Sequence, residues 1–185
     1  MNVNIIRYAS LFALSAAALS ANAVNLLSNP SFETGDFTSW TLVGDPNYTF
    51  VDSGFSSDGN FAAWLGEFAG VGSLTQTIAT VPGASYTFSF DFAGDDDDPS
   101  FFSAAFGGNT VMSVTNPPFD VNYVSHSFTV VASSATTDVQ FSFLDEPFFL
   151  NLDNVSVTAN AVPEPTSMAA LGLGALCILR RRKKA

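Results

Sequence analysis

The sequence predicts an all-β domain, a two-sheet sandwich, over residues 24–161, and three observations predict it. Apolar and polar residues alternate with a period of two along several stretches, as on strands with one buried face. No stretch in this span sustains the 3.6-residue apolar period of a helix. Gly, Pro, Asp, Asn and Ser interrupt it at short intervals, so the runs between them are strand-sized. About ten short strands in a span of ordinary domain size form a sandwich rather than a parallel α/β sheet.

Taken in order, the expected strands cover 24–27, 41–43, 48–51, 61–65, 73–78, 85–93, 101–106, 110–115, 123–131, 138–144 and 149–157. Alternation is plainest in Tyr86-Thr87-Phe88-Ser89-Phe90-Asp91-Phe92, where aromatics take one face and small polar residues the other. It returns in Val139-Gln140-Phe141-Ser142-Phe143 and along 150–157. Residues 94–100, which are acidic, and 116–122, which carry Pro117-Pro118, read as the long loops. Trp40 and Trp64 read as core side chains, and most of the 19 Phe must join them. The aromatics best placed to meet a ligand are Phe101, Phe102, Phe119, Tyr123, Phe148 and Phe149.

The two ends differ from this domain. Residues 1–23 carry one cation, Arg7, then an apolar region and the small-residue pattern Ala21-Asn22-Ala23, which reads as a secretory signal peptide cleaved after Ala23. No cysteine lies near that site, so a lipoprotein anchor is excluded. The sole cysteine, Cys177, falls in the C-terminal apolar run, which leaves the exported domain without a disulfide of its own. That run, 166–179, is shorter than the roughly 20 residues an untilted spanning helix needs. It ends in Arg180-Arg181-Arg182-Lys183-Lys184, a basic stop that holds the tail's end on the cytoplasmic side and everything before it outside.

Charge is distributed just as unevenly. All six Lys and Arg lie in the end segments, while all of the 17 acidic residues except Glu164 lie in 24–161, so the domain carries a formal charge of −16. Nucleic-acid binding is excluded, because neutralising phosphates takes Lys or Arg. Crowded carboxylates favour loops, low ionisation or a bound cation instead, and calcium is the natural cation. The run Asp95-Asp96-Asp97-Asp98 reads as a solvated loop, because adjacent side chains on an extended chain point alternately apart and cannot all reach one ion.

Enzyme chemistry finds little support here. His126 is the only histidine, and the exported part contains no cysteine, no Gly-x-Ser-x-Gly elbow and no phosphate loop. A glycosidase-type carboxylate pair needs only two acids at the right separation, so a hydrolase acting on polysaccharide stays the least favoured alternative.

Two resemblances sharpen this reading. Val162-Pro163-Glu164-Pro165, the apolar run 166–179 and the basic end 180–184 closely resemble the PEP-CTERM sorting signal. The resemblance implies that an exosortase is the partner, that it removes the tail near the Pro-Glu-Pro triplet, and that the inner membrane holds the chain only transiently, through this segment. An uncut single-pass anchor is the alternative.

The second resemblance covers most of the domain. Residues 25–33 (Asn-Leu-Leu-Ser-Asn-Pro-Ser-Phe-Glu), Gly35-Asp36-Phe37, Trp40, Ala63-Trp64-Leu65-Gly66, 74–78 and 152–157 look like galactose-binding-domain-like jelly rolls, a layout shared by carbohydrate-binding modules. In that family an opening acid and a closing Asp hold a structural calcium, which the resemblance carries over to Glu33 and Asp153. The expected function is a non-enzymatic protein of the cell surface or exopolysaccharide matrix, structural or adhesive. The alternative is a module that binds the matrix polysaccharide.

Overall fold

The computed structural model describes residues 24–161. Ala21 and Ala23 of the expected signal cleavage, the expected C-terminal helix, Val162, Pro163, Glu164 and Pro165 of the sorting motif, and Arg180, Arg181 and Arg182 lie outside the described residues. Eight strands run in order β1 (Thr41–Val43), β2 (Thr49–Ser53), β3 (Phe61–Ala79), β4 (Ser85–Ala93), β5 (Ser100–Phe106), β6 (Asn109–Thr115), β7 (Val124–Val131) and β8 (Thr136–Ala159).

The two layers of this jelly roll come from one curled antiparallel sheet, because β3 and β8 bend and pass through both. In the first layer β2 pairs with the opening of β3, which pairs with the closing half of β8 through Ala63↔Leu152, Trp64↔Asn151 and Leu65↔Leu150. That half of β8 pairs with β4, and β4 pairs with β7. In the second layer β1 pairs with the later half of β3, which meets the opening half of β8 from Gly72↔Phe143 to Ala79↔Thr136. There β8 pairs with β5, and β5 pairs with β6.

The expected strands 61–65 and 73–78 are thus one strand, as are 138–144 and 149–157. The register slips between Leu65 and Gly72, where the chain changes layer without leaving the sheet. Gly72 makes room for this bend, since a Cβ there would lie 2.6 Å from the Phe143 ring. The expected strand 24–27 does not form. The Asn25 side chain stands in for a ladder there, donating to the Val155 carbonyl at 2.9 Å and accepting from the Val157 amide at 3.0 Å.

The core lies between the layers and is aromatic. Tyr86, Phe88, Phe90 and Phe92 point into it from β4, as their alternation predicts, and meet Phe102, Phe106 and Phe141 of the facing layer. Phe141 touches Trp40, Phe88, Phe90 and Phe102 with centroids 5.3–6.2 Å apart, the offset and edge contacts that aromatic rings prefer. Each fully buried Phe contributes about 1.5–3 kcal/mol of transfer free energy. A chain without cations between 24 and 161 relies on such contacts and on hydrogen bonds in place of salt bridges.

Candidate functional site

The core-facing alternation of β3 and β8 fixes what stands on the other side of the first layer. Ala63 and Leu65 turn inward, so Trp64 turns outward, and its register partner Asn151 stands beside it on the next strand. Together they floor a cleft of about 510 Å³, within the roughly 300–1,000 Å³ typical of small-molecule sites. The walls are Phe55 from the β2–β3 connection, Gly94 and Asp95 after β4, Phe119, Asp120 and Val121 before β7, and Phe148 and Phe149 from the bend of β8.

Both floor residues have a free donor. Trp64 Nε1 and Asn151 Nδ2 are buried and meet no hydrogen-bond partner. Asn151 is only 7% exposed, so its amide is screened from bulk water while still lining the cleft. A buried donor without a partner costs about 1–3 kcal/mol, which an acceptor entering the cleft recovers. Trp64 is held in place by Phe50, stacked at 6.4 Å and 5°, and by Phe149, edge-on at 5.9 Å. Phe119 and Phe148 stand more than half exposed at the rim.

The two predicted loops meet to form one wall. The Gly94 amide donates to Asp120 Oδ2 at 3.1 Å, the Asp120 amide to the Gly94 carbonyl at 3.0 Å, and the Asp96 amide to the Pro117 carbonyl at 3.1 Å. Gly94 allows this approach, because a Cβ would lie 2.5 Å from the Pro118 carbonyl oxygen.

A cluster of acids holds the segment that carries Phe55, another of the lining residues. Asp153 accepts the amides of Ser57 at 2.7 Å and Asp58 at 2.9 Å, and Glu33 accepts those of Asn60 and Phe61, both at 2.8 Å. Asp91, the register partner of Asp153, accepts the hydroxyls of Ser57 and Ser125 at 2.8 and 2.5 Å. These carboxylates fasten the segment 57–61, and with it Phe55, whose ring stacks on Tyr123 at 4.7 Å and whose carbonyl accepts the Tyr123 hydroxyl at 2.9 Å.

Their acidities follow from these contacts. The Phe61 and Asn60 amides hold Glu33 below its ordinary value. Burial pushes Asp153 up, against the pull of the loop amides. Burial would also raise Asp91, but the donors Ser125, Ser57 and Asn154 outweigh it and hold the group low. Burial and the nearby charges of Asp153 and Asp91 push the Tyr123 phenol up, so it remains a donor.

Glu33 and Asp153, the pair expected to share a calcium, both serve this loop: backbone amides donate to Glu33 Oε1 and to both Asp153 oxygens, and the Asn60 side-chain amide donates to Glu33 Oε2. Among the described residues, one group of three carboxylates has ligand oxygens within 4.8 Å of one another: Asp95, Asp97 and Asp145. The aromatic expectations divide. Phe119, Phe148 and Phe149 line the cleft, Tyr123 backs its wall through Phe55, and Phe101 is half-buried on β5 outside it. Phe102 is fully buried in the core, because β5 begins at Ser100 and its alternation turns Phe102 inward. Trp64 is not a core residue, because Ala63 and Leu65 take the inward positions on its strand. His126 is half-buried against the rings of Phe90 and Phe92, and burial lowers its basicity.

Residues 161–183 match the PEP-CTERM protein-sorting motif. This motif marks an exported chain, transiently membrane-anchored and handed to an exosortase. No curated protein shows significant sequence similarity to the chain. Among solved structures, the carbohydrate-binding module TmCBM61, determined with β-1,4-galactotriose, aligns with a TM-score of 0.61 and 20% identity over 75% of this chain and all of that one. The xylan-binding CBM22-1 domain of Paenibacillus barcinonensis Xyn10C aligns with a TM-score of 0.54 and 13% identity, covering 76% of this chain and 97% of that one. The enzymatically active domain of a bacteriophage CBA120 tailspike protein aligns with a TM-score of 0.54 and 19% identity, covering 74% of this chain but 21% of that one. At these identities the likeness is one of fold: a PEP-CTERM sorting motif follows a jelly roll of the kind carbohydrate-binding modules share.

Proposed function

We propose that the exported domain is a non-catalytic glycan-binding module, which holds an uncharged polysaccharide at the cell surface or in the extracellular matrix once the exosortase has processed the tail. One observation carries this reading: Trp64 and Asn151 stand side by side on the cleft floor, each with a buried donor lacking a partner, beneath the exposed rings of Phe119 and Phe148. Sugar rings present flat C–H faces to aromatics and hydroxyl oxygens to donors, and this arrangement offers both. Asp95 and Asp120 supply acceptors for sugar hydroxyls. A domain without Lys or Arg has no side chain of its own to pair with a uronate or sulfate, and its net charge repels both, which favours a neutral polymer. The cleft favours the binding role over a purely structural one.

Affinity electrophoresis through gels containing neutral polysaccharides, β-1,4-galactan and xylan among them, tests the proposal. The wild type is retarded by at least one polymer, and Trp64→Ala migrates as in a blank gel. Equal migration of both proteins in every gel overturns the reading. Release of new reducing ends from a retarding polymer overturns its non-catalytic part.

A further inference from the structure

A second feature of the cleft rim is unrelated to the aromatic floor. Asp95 and Asp97 project from the connection between β4 and β5, and Asp145 from β8, where it is the register partner of Ser100. Their ligand oxygens lie within 4.8 Å of one another. Oxygens around a calcium ion sit at roughly 2.3–2.6 Å from it, so opposite ligands are about 4.6–5.2 Å apart and the trio fits inside one coordination shell.

Four of its six carboxylate oxygens, Asp95 Oδ2, Asp97 Oδ2 and both of Asp145, are buried without a hydrogen-bond partner. Asp145 is 0% exposed. Among the described residues every orphaned buried side-chain acceptor belongs to this trio, and both orphaned donors, Trp64 Nε1 and Asn151 Nδ2, line the cleft that Asp95 also lines. Asp145 is the sign that a ligand enters here and owes nothing to the cleft floor: its side chain is fully buried, both of its oxygens lack a donor, and they face Asp95 and Asp97. Three carboxylates turned toward each other at close range, in a domain without a single Lys or Arg, repel one another, and a proton or a cation from outside the chain relieves that repulsion.

We propose that Asp95, Asp97 and Asp145 bind one divalent cation, calcium by the chemistry of its ligands, and that hydroxyls of a glycan in the cleft complete its coordination. An all-oxygen set without His or Cys suits calcium rather than zinc or copper. Three carboxylates leave positions open in a shell of six to eight, and Asp95, shared between trio and cleft, places those positions at the cleft wall. The bridging role rests on the reading of the cleft as glycan-binding; the cation site itself does not.

Calorimetric titration of calcium chloride into the purified, chelator-stripped protein tests the site. One saturable site is expected, with a Kd of roughly 10⁻³ M or tighter, as in extracellular modules. Asp145→Asn and Asp97→Asn each weaken it at least about tenfold, whereas Asp52→Asn, at the exposed end of β2, leaves it unchanged. Asp97 lies on a connection rather than in a strand, so its variant keeps the test valid should Asp145→Asn fail to fold. Calcium raises the melting temperature of the wild type and of Asp52→Asn but not of Asp145→Asn. No calcium binding, or binding that survives both trio variants and is lost in Glu33→Gln, overturns the site.

Glycan affinity, measured with calcium and with chelator, separates the two readings. A loss of about tenfold or more in chelator supports the bridge. Unchanged glycan affinity, with calcium bound at the trio, overturns the bridge and leaves the cleft reading intact. Calcium binding without affinity for any glycan supports the site and overturns the cleft reading.

Discussion

Removing the Asp153 carboxylate should release the segment 57–61 from the sheet. In Asp153→Ala the Ser57 and Asp58 amides lose an acceptor that holds them at 2.7 and 2.9 Å, and the Ser57 hydroxyl loses a contact at 3.2 Å. Hydrogen bonds to a charged acceptor contribute about 1.5–3 kcal/mol each, so two amides account for roughly 3–6 kcal/mol. Ser57 and Asp58 lie on the exposed side of the loop, where water recovers part of that, and about 2–4 kcal/mol remains. Urea unfolding in the presence of chelator measures this without any contribution from a cation. Hydrogen exchange localises it: the Ser57 and Asp58 amides exchange faster in the variant, while the core amides of β4 change only with global stability. A loss below about 0.5 kcal/mol with unaltered exchange at both amides would refute the clamp.

Three further outcomes follow from the same geometry. Phe141→Ala, at the meeting point of four aromatic side chains, should cost about 3–5 kcal/mol in urea unfolding. Gly59→Ala should cost about 2 kcal/mol, because φ is +70° there and a Cβ would lie 2.4 Å from the Glu33 carboxyl carbon; a neutral effect contradicts the placement of Glu33. Asp91 is held below its unfolded value of 3.8, so its contribution to stability is complete above that value and is lost as pH falls through the lower folded pKa. Ser125→Ala raises that folded pKa and should move the acid-unfolding midpoint, followed by tryptophan fluorescence, to higher pH.

Much of this fold was legible in period alone. The alternation at 86–92 placed four aromatics in the core, and it did so because one face of β4 packs on a second layer while the other does not. The bends of β3 and β8 were not legible, because Gly66 to Val71 reads as a break between strands when only local residues are seen. The face taken by Trp64 was ambiguous for a related reason: a large aromatic in a short apolar run satisfies either side, and the inward neighbours Ala63 and Leu65 decide the matter only once the sheet exists. Glu33 and Asp153 were singled out as a pair through a resemblance, and the structure brings both to the segment 57–61, whose amides they accept.

The acidic trio shows where local reasoning stops. Adjacent residues of the run 95–98 cannot converge, but Asp95 and Asp97, two apart, can, and the third carboxylate comes from Asp145, brought close because β5 and β8 pair in register. A signal for Asp145 did exist: after Val139, Phe141 and Phe143, the next inward position of β8 holds a carboxylate where the pattern calls for an apolar side chain. A break of that kind in a core-facing series marks a buried polar group in need of a partner.

The most direct measurement uses the two tryptophans as separate reporters. Trp40 is buried in the core with its indole donating to the Asn29 carbonyl at 3.0 Å, whereas Trp64 floors the cleft with its indole unpaired. Titrating the protein with neutral oligosaccharides should shift the fluorescence of Trp64 saturably. Trp64→Phe should abolish the shift and weaken binding about tenfold, the worth of one hydrogen bond of roughly 1–1.5 kcal/mol. A saturable shift that persists in Trp64→Phe, or no response to any neutral glycan, would contradict the account.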